Sequence, residues 1–328
     1  MNLKISNLLH RKLFWLIILI AASVYSLTLG VKDFSLLGLF TRNGEDIKLA
    51  IISRFPRLIS ILVTGASLSI SGLIMQTITD NKFVSPSTAG TMEWSRFGVM
   101  IAIMFFGGEA KLFKMLIAFI CSLFGTLIFL QILQTMKFKN AMIVPLVGMM
   151  LGNVISAITS FIAYRFDIIQ NMSSWLQGNF SLVIKGRYEL LYLGIPFLFI
   201  AYIYANKLTI AGMGESFSKS LGVNYKAIVL LGMVIVAVIT STVVVTVGSI
   251  SFVGIIIPNI VSMMMGDNLR NSLPVTALFG ALFLLICDMI GRVIIFPYEI
   301  SISLIVSIVG SIMFLALLFR RKKKWSTS

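Results

Sequence analysis

The chain has 328 residues, of which 58% are hydrophobic and only 12% charged, with a mean hydropathy of +0.99 and a formal net charge of +15. A soluble domain carries about a quarter charged residues, so this chain cannot cover a water-facing surface and must present its apolar side chains to lipid. The basic excess is not read as a nucleic-acid footprint, because on a membrane chain basic residues mark the loops retained on the inner side.

Ten apolar stretches follow in chain order, at 13–31, 56–78, 90–107, 113–135, 141–163, 188–206, 227–247, 250–265, 274–295 and 300–320. A helix needs roughly 20 residues to cross the hydrocarbon core. The apolar residues run consecutively and do not alternate, which argues against a β-barrel. The expected fold is all-α and integral to the membrane: one transmembrane domain over residues 1–328, with roughly ten crossings by the length rule. The first stretch has the basic start of a secretory leader (Lys4, Arg11, Lys12). No small-x-small cleavage site precedes a soluble segment, so it reads as a retained first helix.

Both ends are basic, the last apolar run being followed by Arg320, Arg321, Lys322, Lys323 and Lys324. An even number of crossings then places both termini in the cytoplasm. The loops with Lys137 and Lys139, and with Lys207, Lys219 and Lys226, fall on the same side. The expected location is a bacterial cytoplasmic membrane, crossed many times, with the basic tail near anionic lipid. Arg54, Arg57 and Arg292 break this pattern, since they fall at outer helix ends. They read either as interfacial snorkelling residues or as a basic rim that receives an acidic partner.

Chemistry of the chain's own is scarce. Cys121 and Cys287 lie inside apolar stretches, and the single histidine, His10, is near the start. That argues against a histidine and cysteine metal centre. No GxxxxGK[ST] loop is present to hold a nucleotide, and no nucleophile with a base is available. The expectation is a transport body with no catalytic residue, metal or cofactor of its own. The methionine clusters Met149–Met150 and Met263–Met265 read as packing side chains, against a soft-metal path.

Three connections are richer than spacers. Gln76 to Gly90 reads QTITDNKFVSPSTAG and is either a turn or a pore-side loop. Gly212 to Tyr225 reads GMGESFSKSLGVNY. A short helix is expected from Glu215 to Leu221, stopped by Gly222 as a C′ residue. Phe217 and Leu221, four apart, share one face and suit a groove on a partner. Gly248 to Pro274 contains Gly248, Gly254 and Pro258, the kind of break found near substrate paths. Glu93 and Arg96 are three apart and can pair on one face; charges inside a membrane are functional candidates by default. Asp288 and Arg292 are four apart, and their pairing would orient Arg292.

Together these segments resemble the FecCD-type permeases of iron-siderophore and vitamin B12 ABC importers, over nearly the whole chain. Arg54, Pro56, Arg57, Gly65, Leu68, Gly72, Gln76, Asn81, Pro86 and Gly90 match RxPR…GxxLxxxGxxxQxxxxNPLAxPxxLG in register. GMGESFSKSLGV is similar to the family's coupling segment. GSISFVGIIIPNIVSMMMGDNLRNSLP is similar to GxIxFVGLxxPHxxRxxxGxxxRxxLP. Trp175 and Gly178 fit WxxG, and Asp288, Arg292, Pro297 and Glu299 fit DxxxR…PxE. The chain departs from the pattern at Lys82, Phe83 and Val84, at Asn259, at Ser262, at Thr91, Met92 and Glu93, and in the late stretch from Gly310 to Phe314. The mixture resembles the branch serving catecholate and mixed catecholate siderophores such as petrobactin and anguibactin.

The resemblance implies a type II ABC importer permease, paired with a second copy or a sister permease. Cytoplasmic ATPase subunits would bind the ATP and grip Gly214, Glu215, Ser216, Phe217, Ser218, Lys219, Ser220, Leu221 and Gly222. An extracytoplasmic siderophore-binding protein would dock on Arg54, Arg57 and Arg292. Candidates for the translocation path are Gln76, Asn81, Pro86, Glu93, Arg96 and Pro258. The rival readings are an ion-coupled secondary transporter, for which Glu93 would be the coupling acid, and the same permease with haem or vitamin B12 as cargo.

Overall fold

In lipid every backbone polar group must be paired within the protein, which leaves the helix as the natural fate of long apolar runs. The computed structural model describes residues 2–30, 44–108, 111–135, 143–183, 186 and 188–325. Among them there is no β-strand, and the one β pairing is an isolated parallel bridge, Gln177 with Ser249. The helices are α1 (Asn2–Thr28), α2 (Gly44–Leu49), α3 (Phe55–Ile78), α4 (Thr91–Phe105), α5 (Lys111–Thr135), α6 (Ile143–Arg165) and α7 (Ile169–Leu176). They continue with α8 (Gly194–Ile203), α9 (Ala205–Gly212), α10 (Glu215–Ser220), α11 (Tyr225–Val247), α12 (Val253–Met265), α13 (Leu269–Val293) and α14 (Ile302–Trp325). Lys137 and Lys139 lie outside the described residues, as do the side chains of Lys4, His10, Arg11, Lys12 and Arg320 to Lys324.

Each of the ten apolar stretches falls mainly on helix over its described residues, but they are not ten equal spans. Asp46–Ile78, Leu146–Arg165, Tyr225–Val247 and Leu269–Val293 are long and apolar enough to cross a membrane on their own. The stretch at 188–206 is broken: a 3₁₀ turn (Glu189–Leu193) leads into α8, and the path bends by 66° into α9. Helix α4 has 15 residues and α12 has 13. At about 1.5 Å per residue neither spans a core about 30 Å thick.

The reason lies in the packing of α3, the central helix, which is buried against α13, α11 and α12. Small residues bring these backbones together, as in other membrane helix pairs. A Cβ on Gly72 would lie 1.9 Å from the carbonyl oxygen of Gly254, so only glycine fits where α3 meets α12. After α3 ends, the segment Asn81–Gly90 does not leave the protein. It climbs back along α3, and Pro86 comes to rest beside Gly254, Leu68 and Gly72, about two to three helical turns above Ile78. Helix α4 therefore starts inside the protein. The link Gly248–Phe252 enters from the other end, and α12 starts at the same depth. Phe252 at its N-cap is held at φ +69°, a backbone cost of order 1 kcal/mol for a bulky residue. Thus α4 and α12 are half-length helices whose other halves are irregular backbone, tolerated because protein surrounds it.

Candidate functional site

Three sites stand along the axis of α3. At its N-terminal end, a π-helical turn (Ala50–Arg54) precedes Phe55 and Pro56. The three arginines that broke the charge pattern converge here, drawn from two helices. Arg57 donates from Nη2 to Asp288 at 2.8 Å and from Nη1 to Glu299 at 2.8 Å. Arg292 pairs with Asp288 one turn away on α13, as the four-residue spacing led one to expect. Asp288 thus serves two guanidinium groups at once. Arg292 also donates to the Ser26 carbonyl at 2.9 Å and the Leu29 carbonyl at 3.2 Å, and Arg54 donates to the Leu29 carbonyl. The last carbonyls of a helix have no partner within it, so the two arginines cap α1. Cations are favoured there by the helix dipole as well.

This cluster is mostly internal. Arg54 and Arg292 are buried, and Arg57 is only 13% exposed. The expected rim is therefore a buried tie between α1, α3, α13 and the Phe296–Ser301 turn, with its half-buried fringe at Glu299. Burial alone would push the Glu299 carboxyl up. The Arg57 charge and hydrogen bonds from Ser181 and Arg57 outweigh this and hold it below the usual carboxylate range. Glu299 stood in the family pattern, but its pairing with Arg57 spans 242 positions and had no local signal.

Midway along α3 is a small hollow, with room for about one water molecule. Leu68, Pro86, Thr91, Thr240, Ile250 and Gly254 line it. Pro258 has no N–H, so the Gly254 carbonyl four residues back lacks its helical donor. Gln76 Nε2 takes that place, donating to the Gly254 and Ile255 carbonyls at 3.3 Å. Asn81 is buried, and its Oδ1 accepts from the Phe83 N–H at 3.0 Å, setting the turn that aims the chain back toward the hollow. Gln76, Asn81, Pro86 and Pro258 thus act together on one broken joint. Glu93 and Arg96 do not belong to it. Among the described residues they make no salt bridge, contrary to expectation, and Glu93 instead packs against Gly152 of α6. Trp175 and Gly178 sit at the neighbouring joint, where Trp175 Nε1 donates to the Val245 carbonyl and Ser249 N donates to the Leu176 carbonyl.

At the C-terminal end of α3, Gly212 at the close of α9 abuts Thr77. Helix α10 then runs one residue shorter than expected, with Leu221 as its C-cap. Gly222 follows at φ +70°, with Gly222 N donating to the Lys219 carbonyl and Val223 N to the Ser218 carbonyl. This is the glycine-terminated stop read from the sequence. Ser218 turns inward and anchors α10 to the Ile210 carbonyl at 3.1 Å. Met213, Phe217 and Leu221 are exposed together.

The sequence profile of the FecCD transport family matches residues 14–320. The chain belongs to this family. A petrobactin import system permease protein of Bacillus subtilis (strain 168) is 57% identical, covering 93% of this chain and 97% of its own. A ferric-anguibactin transport system permease protein of Vibrio anguillarum is 40% identical, covering 89% of this chain and 92% of its own. The structure of a metal-chelate type ABC transporter in an inward-facing conformation superposes with a TM-score of 0.83 at 25% identity, covering 95% of this chain and 99% of that one. The fold is the type II importer permease fold, in a protein that crosses the membrane several times. Where the FecCD pattern carries proline after Asn81 and arginine at Ser262, this chain has Lys82 and serine. Lys82 Nζ donates to Ser262 Oγ at 3.0 Å and pairs with Asp267.

Proposed function

We propose that this chain is the membrane-spanning permease of an ABC importer for ferric siderophores of the petrobactin and anguibactin type. The observation that carries this reading is the 57% identity to a petrobactin import permease along 93% of the chain. The three sites on α3 fit the parts such a subunit needs. The exposed apolar face of α10 suits a groove on cytoplasmic ATPase subunits, which bind the ATP; the permease itself has no catalytic site and holds no cofactor. Residues 1–328 work as one permease domain in the cytoplasmic membrane, with both termini inside. The Arg54, Arg57 and Arg292 cluster lies on the outer side and receives an extracytoplasmic siderophore-binding protein. A second copy or a sister permease completes the translocation path, to which the hollow beside Pro86 belongs.

The test is uptake of ferric petrobactin by proteoliposomes holding the assembled importer, supplied with ATP and the binding protein in the presence of an uncoupler. Uptake that follows ATP supports the reading, whereas uptake that follows an ion gradient overturns it. Phe217→Asp is expected to leave the permease folded and to lose the ATPase subunits on co-purification.

A further inference from the structure

Each nitrogen of the Arg57 guanidinium already donates to a carboxylate, so an incoming carboxylate must compete with one that is in place. Nε and Nη2 of Arg57 both donate to Asp288 Oδ1, at 3.3 and 2.8 Å, and Nη1 donates to both oxygens of Glu299, at 3.0 and 2.8 Å. The two acids are not equivalent. Asp288 is 3% exposed and also holds Arg292, so its departure would strand two buried cations, which is strongly destabilising. Glu299 is 22% exposed, and it stands on a turn whose neighbours Phe296 and Tyr298 point into the surroundings. Glu299 is the carboxylate that can leave.

The geometry points to Glu299 as an internal stand-in for the docking carboxylate: it occupies Arg57 in the resting permease and is exchanged for a glutamate or aspartate of the binding protein on docking. This rests on the docking role proposed above for the arginine cluster. The exchange has a consequence inside the protein. Glu299 also accepts from the Ser181 hydroxyl. The segment containing Ser181 is tied to α14 through Ser303 N donating to the Gly178 carbonyl. It is tied to the entry of α12 through the Gln177–Ser249 bridge. Ile250, next to Ser249, lines the hollow. Releasing Glu299 therefore loosens a contiguous set of contacts that ends at the hollow. Glu299 is a positioning residue: it sets Arg57 and the Ser181 segment.

The experiment uses the complete importer in lipid nanodiscs. Binding of the siderophore-binding protein and ATP hydrolysis without it are measured for wild type, Glu299→Gln, Glu299→Asp, Ser181→Ala and Arg57→Ala. With the competitor's charge removed, Glu299→Gln is expected to tighten docking by about three- to tenfold, with a steeper salt dependence. It should also raise hydrolysis in the absence of the binding protein. Glu299→Asp is expected to restore wild-type behaviour, and Ser181→Ala, which keeps the charge, to move hydrolysis alone in the same direction. If Arg57→Ala docks like wild type, the docking reading fails and the exchange with it. If Arg57→Ala loses docking while Glu299→Gln docks no tighter and hydrolyses no faster, docking stands and the exchange is wrong. Should Glu299→Gln not assemble, Ser181→Ala decides: unchanged hydrolysis overturns the proposal.

Discussion

The two ends of α3 carry the same kinds of residue and use them in opposite ways. At the N-terminal end, Arg54, Arg57, Arg292 and Asp288 are drawn inward and stitch α1, α3 and α13 together. At the C-terminal end, Glu215 and Lys219 pair at 2.9 Å on the surface of α10, with Phe217 and Leu221 left bare beside them. The difference is burial. A buried charge must be matched by a partner or the fold suffers, so the arginine end is structural first and any partner must compete for it. An exposed pair is worth little, so the α10 end is held together by its backbone turn and not by its charges.

The largest expected effect breaks the buried side of this comparison. Asp288→Asn removes the carboxylate shared by Arg57 and Arg292 and should cost about 3–5 kcal/mol, read as a large fall in unfolding temperature in detergent. A loss no greater than that of a surface substitution would mean that the cluster is solvated and not a tie. Next comes acid. Because the Glu299 carboxyl is held below its usual range, its contribution to stability is complete above the unfolded carboxylate value and disappears as the pH falls through the folded value. The stability gap between wild type and Glu299→Gln should therefore close in acid and stay constant near neutrality.

Smaller effects belong to the other end. Lys82→Ala breaks the half-exposed pair with Asp267 and the bond to Ser262, and should cost about 0.2–1 kcal/mol. A greater loss would show that the pair secures the joint between the Asn81–Gly90 segment and α12, not only the surface. Lys219→Ala should be the mildest, at about 0.3–0.5 kcal/mol, as for other exposed helical pairs four residues apart. Measured together, the four variants should rank by burial and not by the number of charges removed.

Much of this was legible without coordinates. The apolar stretches became helices, and the α10 turn with its Gly222 stop appeared nearly where its residues placed it, because both depend on near neighbours. The pairing of Asp288 with Arg292 was visible for the same reason. What misled was spacing taken alone. Glu93 and Arg96 share a helix face, yet Gly152 of α6 leaves room for the Glu93 side chain to turn elsewhere. The stretches at 90–107 and 250–265 looked like spans, but their helices start late, since hydropathy does not record where a chain folds back into the protein.

By itself, then, the sequence determined the solvent, the helices, the pairing of Asp288 with Arg292 and the shape of the α10 turn. Each of these follows from composition or from residues within one or two turns of each other. Only the tertiary structure decided that Arg57 meets Glu299 across 242 positions and that Gln76 supplies, across 178, the donor that Pro258 withholds from the Gly254 carbonyl. Both are debts of burial: a charge and a carbonyl removed from water must find partners, and which helix provides them depends on how the helices pack.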